Sequence, residues 1–311
     1  MRLEILQKRI SDKKVSQSVL FRDLRVKDLK IEMGRESIFT LEKRMDFNTA
    51  FADFLSDMDK SSVEISIGNR IIVSKYLDHC IRYWPYRCGT TGIAEYLKAI
   101  NIDINNPNPE KDALLMMELF INLLHWAPKQ YNKDTSNDAF GLTFQKNNVE
   151  KESERLIENA KYILEQCCNM RIREVIHGDI FPQYRIIKRS AQVDAAVEAV
   201  PELSDVLLGY LDIRNADSRE YKEAALTAVY GYMEPKRSIY RGMACSSVSE
   251  EFFTCMNSFG IRHKGKSQVK IHYTKRNAIY DKLFKMALFV LQTPDVNEFK
   301  DEMKELREKK S

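Results

Sequence analysis

The segment Asp217-Ser218-Arg219-Glu220-Tyr221-Lys222-Glu223-Ala224-Ala225-Leu226-Thr227-Ala228-Val229-Tyr230-Gly231-Tyr232-Met233-Glu234-Pro235 carries the clearest helix signature in the chain. Asp217 followed by Glu220 reads as a capping-box start, because such a pair can satisfy orphan amides of a first helical turn. The helix then runs from about Ser218 to Arg237, with Tyr221, Ala224, Ala225, Ala228, Val229 and Tyr232 on one face. Pro235 ends or kinks it, since proline lacks the amide hydrogen the ladder needs.

The same grammar continues on both sides. Downstream, Ser247 or Ser249 is suited to cap a short helix through Met256, closed by Gly260. Thr274 is suited to cap a last core helix, with Ala278, Ile279, Leu283, Phe284, Ala287, Leu288, Val290 and Leu291 inward and Pro294 as its stop. The charged tail from Val296 reads as a peripheral helix. Upstream, Leu203–Ile213 has helical apolar spacing, Ile180–Ile187 reads as extended, and a helix spans about Glu150 to Cys168.

From Glu110 to Trp126 nearly every position is apolar, the pattern of a buried helix. Pro107 and Pro109 supply its start and Pro128 its stop. Residues 128–149 are polar and read as an interdomain linker or mobile loop. Residues 1–60 read as charged amphipathic helices, and residues 74–100 as two helical pieces broken near Pro85 and Gly89. Val63-Glu64-Ile65-Ser66-Ile67 alternates like a strand, and Gly68-Asn69 can turn it into Ile71-Ile72-Val73.

Bulk composition agrees. The 311 residues suffice for two domains, and only 11 Gly and 8 Pro argue against a turn-rich all-β fold. The expectation is a mainly α protein: a helical N-terminal domain over 1–149, a helical domain over 150–311, and at most a small β-hairpin. The formal charge of +4 permits an acidic partner without demanding one. Its distribution is more telling: Arg262 to Arg276 holds Arg262, Lys264, Lys266, Lys270, Lys275 and Arg276 without one acid. Six cysteines form no Cys-x-x-Cys pair, which argues against a zinc site and for buried thiols in a reducing cytoplasm. Neither a signal-peptide core nor an apolar run of membrane-spanning length is present, so no membrane partner is expected.

The order of Tyr184-Arg185-Ile186-Ile187, Tyr210-Leu211-Asp212-Ile213-Arg214-Asn215, Tyr221-Lys222-Glu223-Ala224 and Phe259-Gly260-Ile261-Arg262-His263 resembles a known helical family. It is similar to the C-terminal HEPN-like domain of AbiJ-like abortive-infection proteins, over roughly residues 180–295. The resemblance implies a helical bundle, a metal-independent endoribonuclease of antiphage or toxin systems, no cofactor, a homodimer, and RNA or a partner defence protein as ligands. The usual signature of the active members is Arg, a polar residue, three to five further residues, then His. Here the histidines after Arg262 are His263, adjacent to it, and His272, ten residues on.

On that reading Arg262 clamps the phosphate, because a guanidinium can hold two non-bridging oxygens while charge grows on them. His263 or His272 transfers protons near neutral pH. Lys264, Lys266, Lys270 and Arg276 draw in the RNA backbone. The alternative is a non-catalytic helical module that binds a protein or nucleic acid, with Arg262 bonding helix-end carbonyls and His263 a satisfied boundary residue. Tyr83-Trp84-Pro85-Tyr86-Arg87 could stack on bases but reads better as a core corner. His125, inside the apolar helix, reads as a core residue.

Overall fold

The computed structural model describes residues 46–66, 69–102, 109–134, 142–176, 181–261, 269, 272–293 and 304. The chain is mainly helical, with two small antiparallel strand pairs. It divides into two compact units, one ending at Ile186 and the other beginning at Ile187. The expected division lay at 149/150.

In the first unit, helix α1 (Phe47–Lys60) begins where the Asp46 carboxylate accepts the Thr49 backbone N–H at 3.1 Å. Phe47, Phe51 and Phe54 stack in sequence along its buried side, and Phe54 meets Phe120. Strands β1 (Ser62–Ser66) and β2 (Asn69–Ile72) form the expected hairpin, with Val63 opposite Ile71. Helices α2 (Val73–Cys80) and α3 (Ile93–Ala99) are the two pieces expected between 74 and 100. The break between them contains Cys88 and Gly89 at positive φ, and Asp78 accepts the Ile93 amide at 2.8 Å.

Helix α4 (Pro109–Asp134) is buried on nearly every side through Ala127. It does not stop at Pro128. Proline removes only one ladder donor, here the N–H that would reach Leu124, and the helix tolerates that loss. Helix α5 (Leu142–Cys168) packs along α4 within the same unit. Residues 128–134 and 142–149 are therefore helical, where an interdomain linker or mobile loop was expected over 128–149. Residues 135–141 lie outside the described residues. Arg155 of α5 clamps the end of α1, reaching Asp57 at 2.8 and 3.1 Å and Ser61 Oγ at 2.8 Å.

Strands β3 (Met170–Val175) and β4 (Gln183–Lys188) form the second pair, and the division of the units falls within β4. In the first unit, Asn122 of α4 accepts the Tyr184 N–H at 2.9 Å and donates to the Tyr184 carbonyl at 2.7 Å. Glu118, one turn earlier, accepts the Ile186 N–H at 2.8 Å. Four helical residues advance about 6 Å and two strand residues about 6.6 Å, so the two side chains match one strand edge.

The second unit contains α6 (Ala191–Ala199), α7 (Ser204–Tyr210), α8 (Arg219–Met233), α9 (Arg237–Arg241), α10 (Ser246–Ser258) and α11 (Tyr273–Leu291). Helix α11 packs against α8, α10 and α6 around Leu226, Val229, Tyr230, Phe252, Phe253, Leu283, Phe284 and Ala287. The helices expected between Leu203 and Leu291 are present, but three caps shift. Ser218, not Asp217, caps α8 by accepting the Tyr221 N–H at 3.2 Å. Neither Ser247 nor Ser249 caps α10; the Ser249 hydroxyl donates to the Ser246 carbonyl instead. His272, not Thr274, holds the cap position of α11. The buried face of α8 also turns, to Lys222, Ala225, Leu226, Val229, Tyr230 and Met233, leaving Ala224 and Ala228 exposed. Ala278 of α11 is exposed as well. The tail from Val296 lies outside the described residues except for Lys304.

Candidate nucleic-acid interface

Arg262, His263, Lys264, Lys266 and Lys270 lie outside the described residues. The stem that carries them is described. Helix α10 ends with Phe259 N–H on the Cys255 carbonyl at 2.9 Å. Gly260 follows at φ +67°, the left-handed region that glycine enters without a Cβ penalty. Ile261 is buried in the core. On the return side, the Val269 N–H bonds the Ser258 carbonyl at 2.9 Å. The connection thus leaves and rejoins the bundle at one place.

It returns into α11 through His272, which is exposed. The His272 Nδ1 shares a hydrogen bond with Thr274 Oγ1 at 2.8 Å, and the His272 carbonyl accepts the Lys275 N–H at 2.9 Å. Arg276 stands four residues on, hence along the same side of the first turn. It is half-buried and, with Arg219, hydrogen-bonds the Tyr280 side chain. The Tyr280 hydroxyl donates to Glu223 Oε2 at 3.1 Å. Burial, then the Glu223 carboxylate, pushes the Tyr280 phenol up.

A second polar network lies one residue earlier on α8 and one residue later on α11. Lys222 of α8 is buried, and its Nζ donates to Asp281 Oδ1 of α11 at 2.8 Å. The Tyr210 hydroxyl donates to the same oxygen at 2.9 Å, and its ring stacks on Phe284 with centroids 3.7 Å apart. Burial, then Asp281, pushes the Tyr210 phenol far up, so it stays a donor. These contacts tie α11 to α7 and α8. Sequence reasoning missed Lys222 and Asp281. The available signal was a lone acid in a helix otherwise apolar or basic, with a lysine on the facing helix.

The remaining candidates sit in the first unit. Trp84 is buried with its ring edge-on to Tyr86 and Tyr96, and Tyr86 donates to the Phe181 carbonyl at 2.5 Å. Trp84 and Tyr86 thus form a core corner, while Tyr83 of the same stretch is exposed. His125 stacks on Tyr184 at 3.6 Å between centroids. Burial, then Lys161 and Lys129, holds its pKa down to about 4, so it is neutral at pH 7. All six thiols are free, but Cys88 is exposed and only Cys80 and Cys245 are buried. Among the described residues no helix is long and apolar enough to cross a membrane. No family model, no curated protein and no solved structure matches this chain.

Proposed function

We propose that this chain is a metal-independent endoribonuclease of an antiphage or toxin system, acting at the connection between α10 and α11. The observation that carries the reading is the acid-free basic run from Arg262 to Arg276, held at both ends by one helical core, with exposed His272 at its return. RNA cleavage without a metal needs a base for the 2′-hydroxyl, an acid for the departing 5′-oxygen, and positive charge on the phosphorane. Arg262 supplies the charge and His263 or His272 the proton transfers. The 2′-oxygen bonds to phosphorus as the P–O5′ bond breaks, leaving a 2′,3′-cyclic phosphate and a 5′-hydroxyl. The reading includes a cytoplasmic homodimer, in which a second connection contributes the other proton-transfer group.

A second reading, an RNA-binding module that does not cut, draws support from Arg276. Its guanidinium hydrogen-bonds Tyr280 and so serves the scaffold as well as any ligand. One assay separates the two. Purified protein incubated with RNA in a chelator should give 2′,3′-cyclic phosphate ends, and Arg262→Ala should abolish them. His272→Ala should slow cutting by about 10²–10⁴-fold if it is the acid or base. Undiminished cutting by Arg262→Ala, or none by the native protein, would remove the nuclease reading.

A further inference from the structure

Among the described residues, helix α11 has one narrow exposed face. Its exposed positions include Lys275, Ala278, Lys282, Lys285 and Phe289, spaced three, four, three and four residues apart. That spacing puts them in a single stripe about 21 Å long. Three of the five are lysines, one is a small alanine, and the last is a phenylalanine ring that is 55% exposed. The helix has a single acid, Asp281, whose half-exposed carboxylate accepts from Lys222 and Tyr210. That carboxylate, one turn before Lys285, is thus already paired with a buried ammonium.

We infer that this stripe is a track for single-stranded RNA, carrying the backbone from the α10–α11 connection along α11. Its charge has the sign and linear layout that a phosphodiester chain requires. The residue count gives separations of about 10 Å from Lys275 to Lys282 and 5 Å from Lys282 to Lys285. The alanine between the first two keeps the track low, and Phe289 offers an apolar face at its far end. An exposed aromatic beside lysines is the pairing that grips unpaired bases without reading their sequence. Charge complementarity also selects this occupant over an apolar partner, because a protein seated on the stripe would have to cover three ammonium groups. The inference rests on RNA being the ligand of the connection and extends it to residues that need not touch the scissile bond.

The test uses the full-length protein and a fluorescent polyuridine oligonucleotide, with binding measured across a salt series in the Arg262→Ala background. The triple variant Lys275→Ala/Lys282→Ala/Lys285→Ala should bind about tenfold or more weakly at low salt. Its slope of log affinity against log salt should flatten by roughly 2, at about 0.7 per lost phosphate contact. Phe289→Ala should weaken binding about fivefold or more with the slope unchanged, as loss of stacking requires. Unchanged melting curves for these surface variants exclude misfolding. A triple variant with native affinity and slope would overturn the track, as would a protein that retards no RNA and binds only an acidic polypeptide. The two readings fail separately. A protein that cuts RNA with stripe-independent affinity keeps the nuclease and loses the track; one that never cuts but needs the lysines keeps only the track.

Discussion

Two titratable side chains, buried Lys222 and half-buried His125, show what single residues contribute. Lys222 enters the core of the second unit because Asp281 and Tyr210 meet it there. Removing one partner of such a pair costs more than removing the charge altogether, since the orphaned ion stays desolvated. Asp281→Ala should therefore destabilise the second unit by about 2–3 kcal/mol, and Lys222→Met by clearly less, in urea unfolding followed by circular dichroism. His125 gives a pH dependence with a definite sign. Its pKa falls from 6.5 to about 4 on folding, so between those values the unfolded chain binds a proton that the folded chain does not. The first unit should lose stability as pH drops from about 6.5 to about 4, then level off with respect to this group. Both tryptophans, Trp84 and Trp126, lie in that unit, so their fluorescence reports it alone. His125→Phe should keep the stacking on Tyr184 and flatten the slope; an unaltered slope would assign it to other groups. Sequence reading identified His125 as a core residue but missed Lys222. Periodicity assumes that lysine faces water, and only the partner on α11 reverses this.

At the scale of elements, helix existence was readable and helix ends were not. Apolar spacing marks the side that must be buried, whereas a cap depends on which hydroxyl or carboxylate lies within reach of one amide. Ser218 displaces Asp217 for that reason. Pro128 shows the same limit, because propensity at one residue yields to the packing of a 26-residue helix that is buried through Ala127. The second strand pair depends on a contact that no local pattern announces, the side-chain edge of Asn122 and Glu118 against β4. Asn122→Ala leaves both the N–H and the carbonyl of Tyr184 without that partner, and should cost about 2–3 kcal/mol by urea titration of tryptophan fluorescence. Glu118→Gln, which keeps an acceptor for the Ile186 amide, should cost less than Glu118→Ala. In the second unit, a Cβ on Gly209 would come within 1.8 Å of the Tyr221 hydroxyl. Gly209→Ala should destabilise by about 1–3 kcal/mol, and Tyr221→Ala should recover part of that in the double variant.

For the whole molecule, scarce glycine and proline and the largely apolar 110–126 segment already implied a mainly helical chain, and it is one. The position of the division was not readable. A polar stretch resembles a linker whether or not its flanks are helical, and α4 and α5 close on each other across it. The candidate site was half readable. The acid-free charge run is a property of sequence alone, while the stem at Ser258 and Val269, the networks under α11 and its uncovered lysine face are products of folding. The account as a whole claims that the basic connection and α11 meet an RNA backbone. The most direct measurement is the affinity of the native protein for single-stranded RNA across a salt series. Engagement of the four basic side chains of the connection and the three lysines of the stripe predicts a log–log slope of about −5. A slope near zero, or no binding at low salt, would contradict the claim.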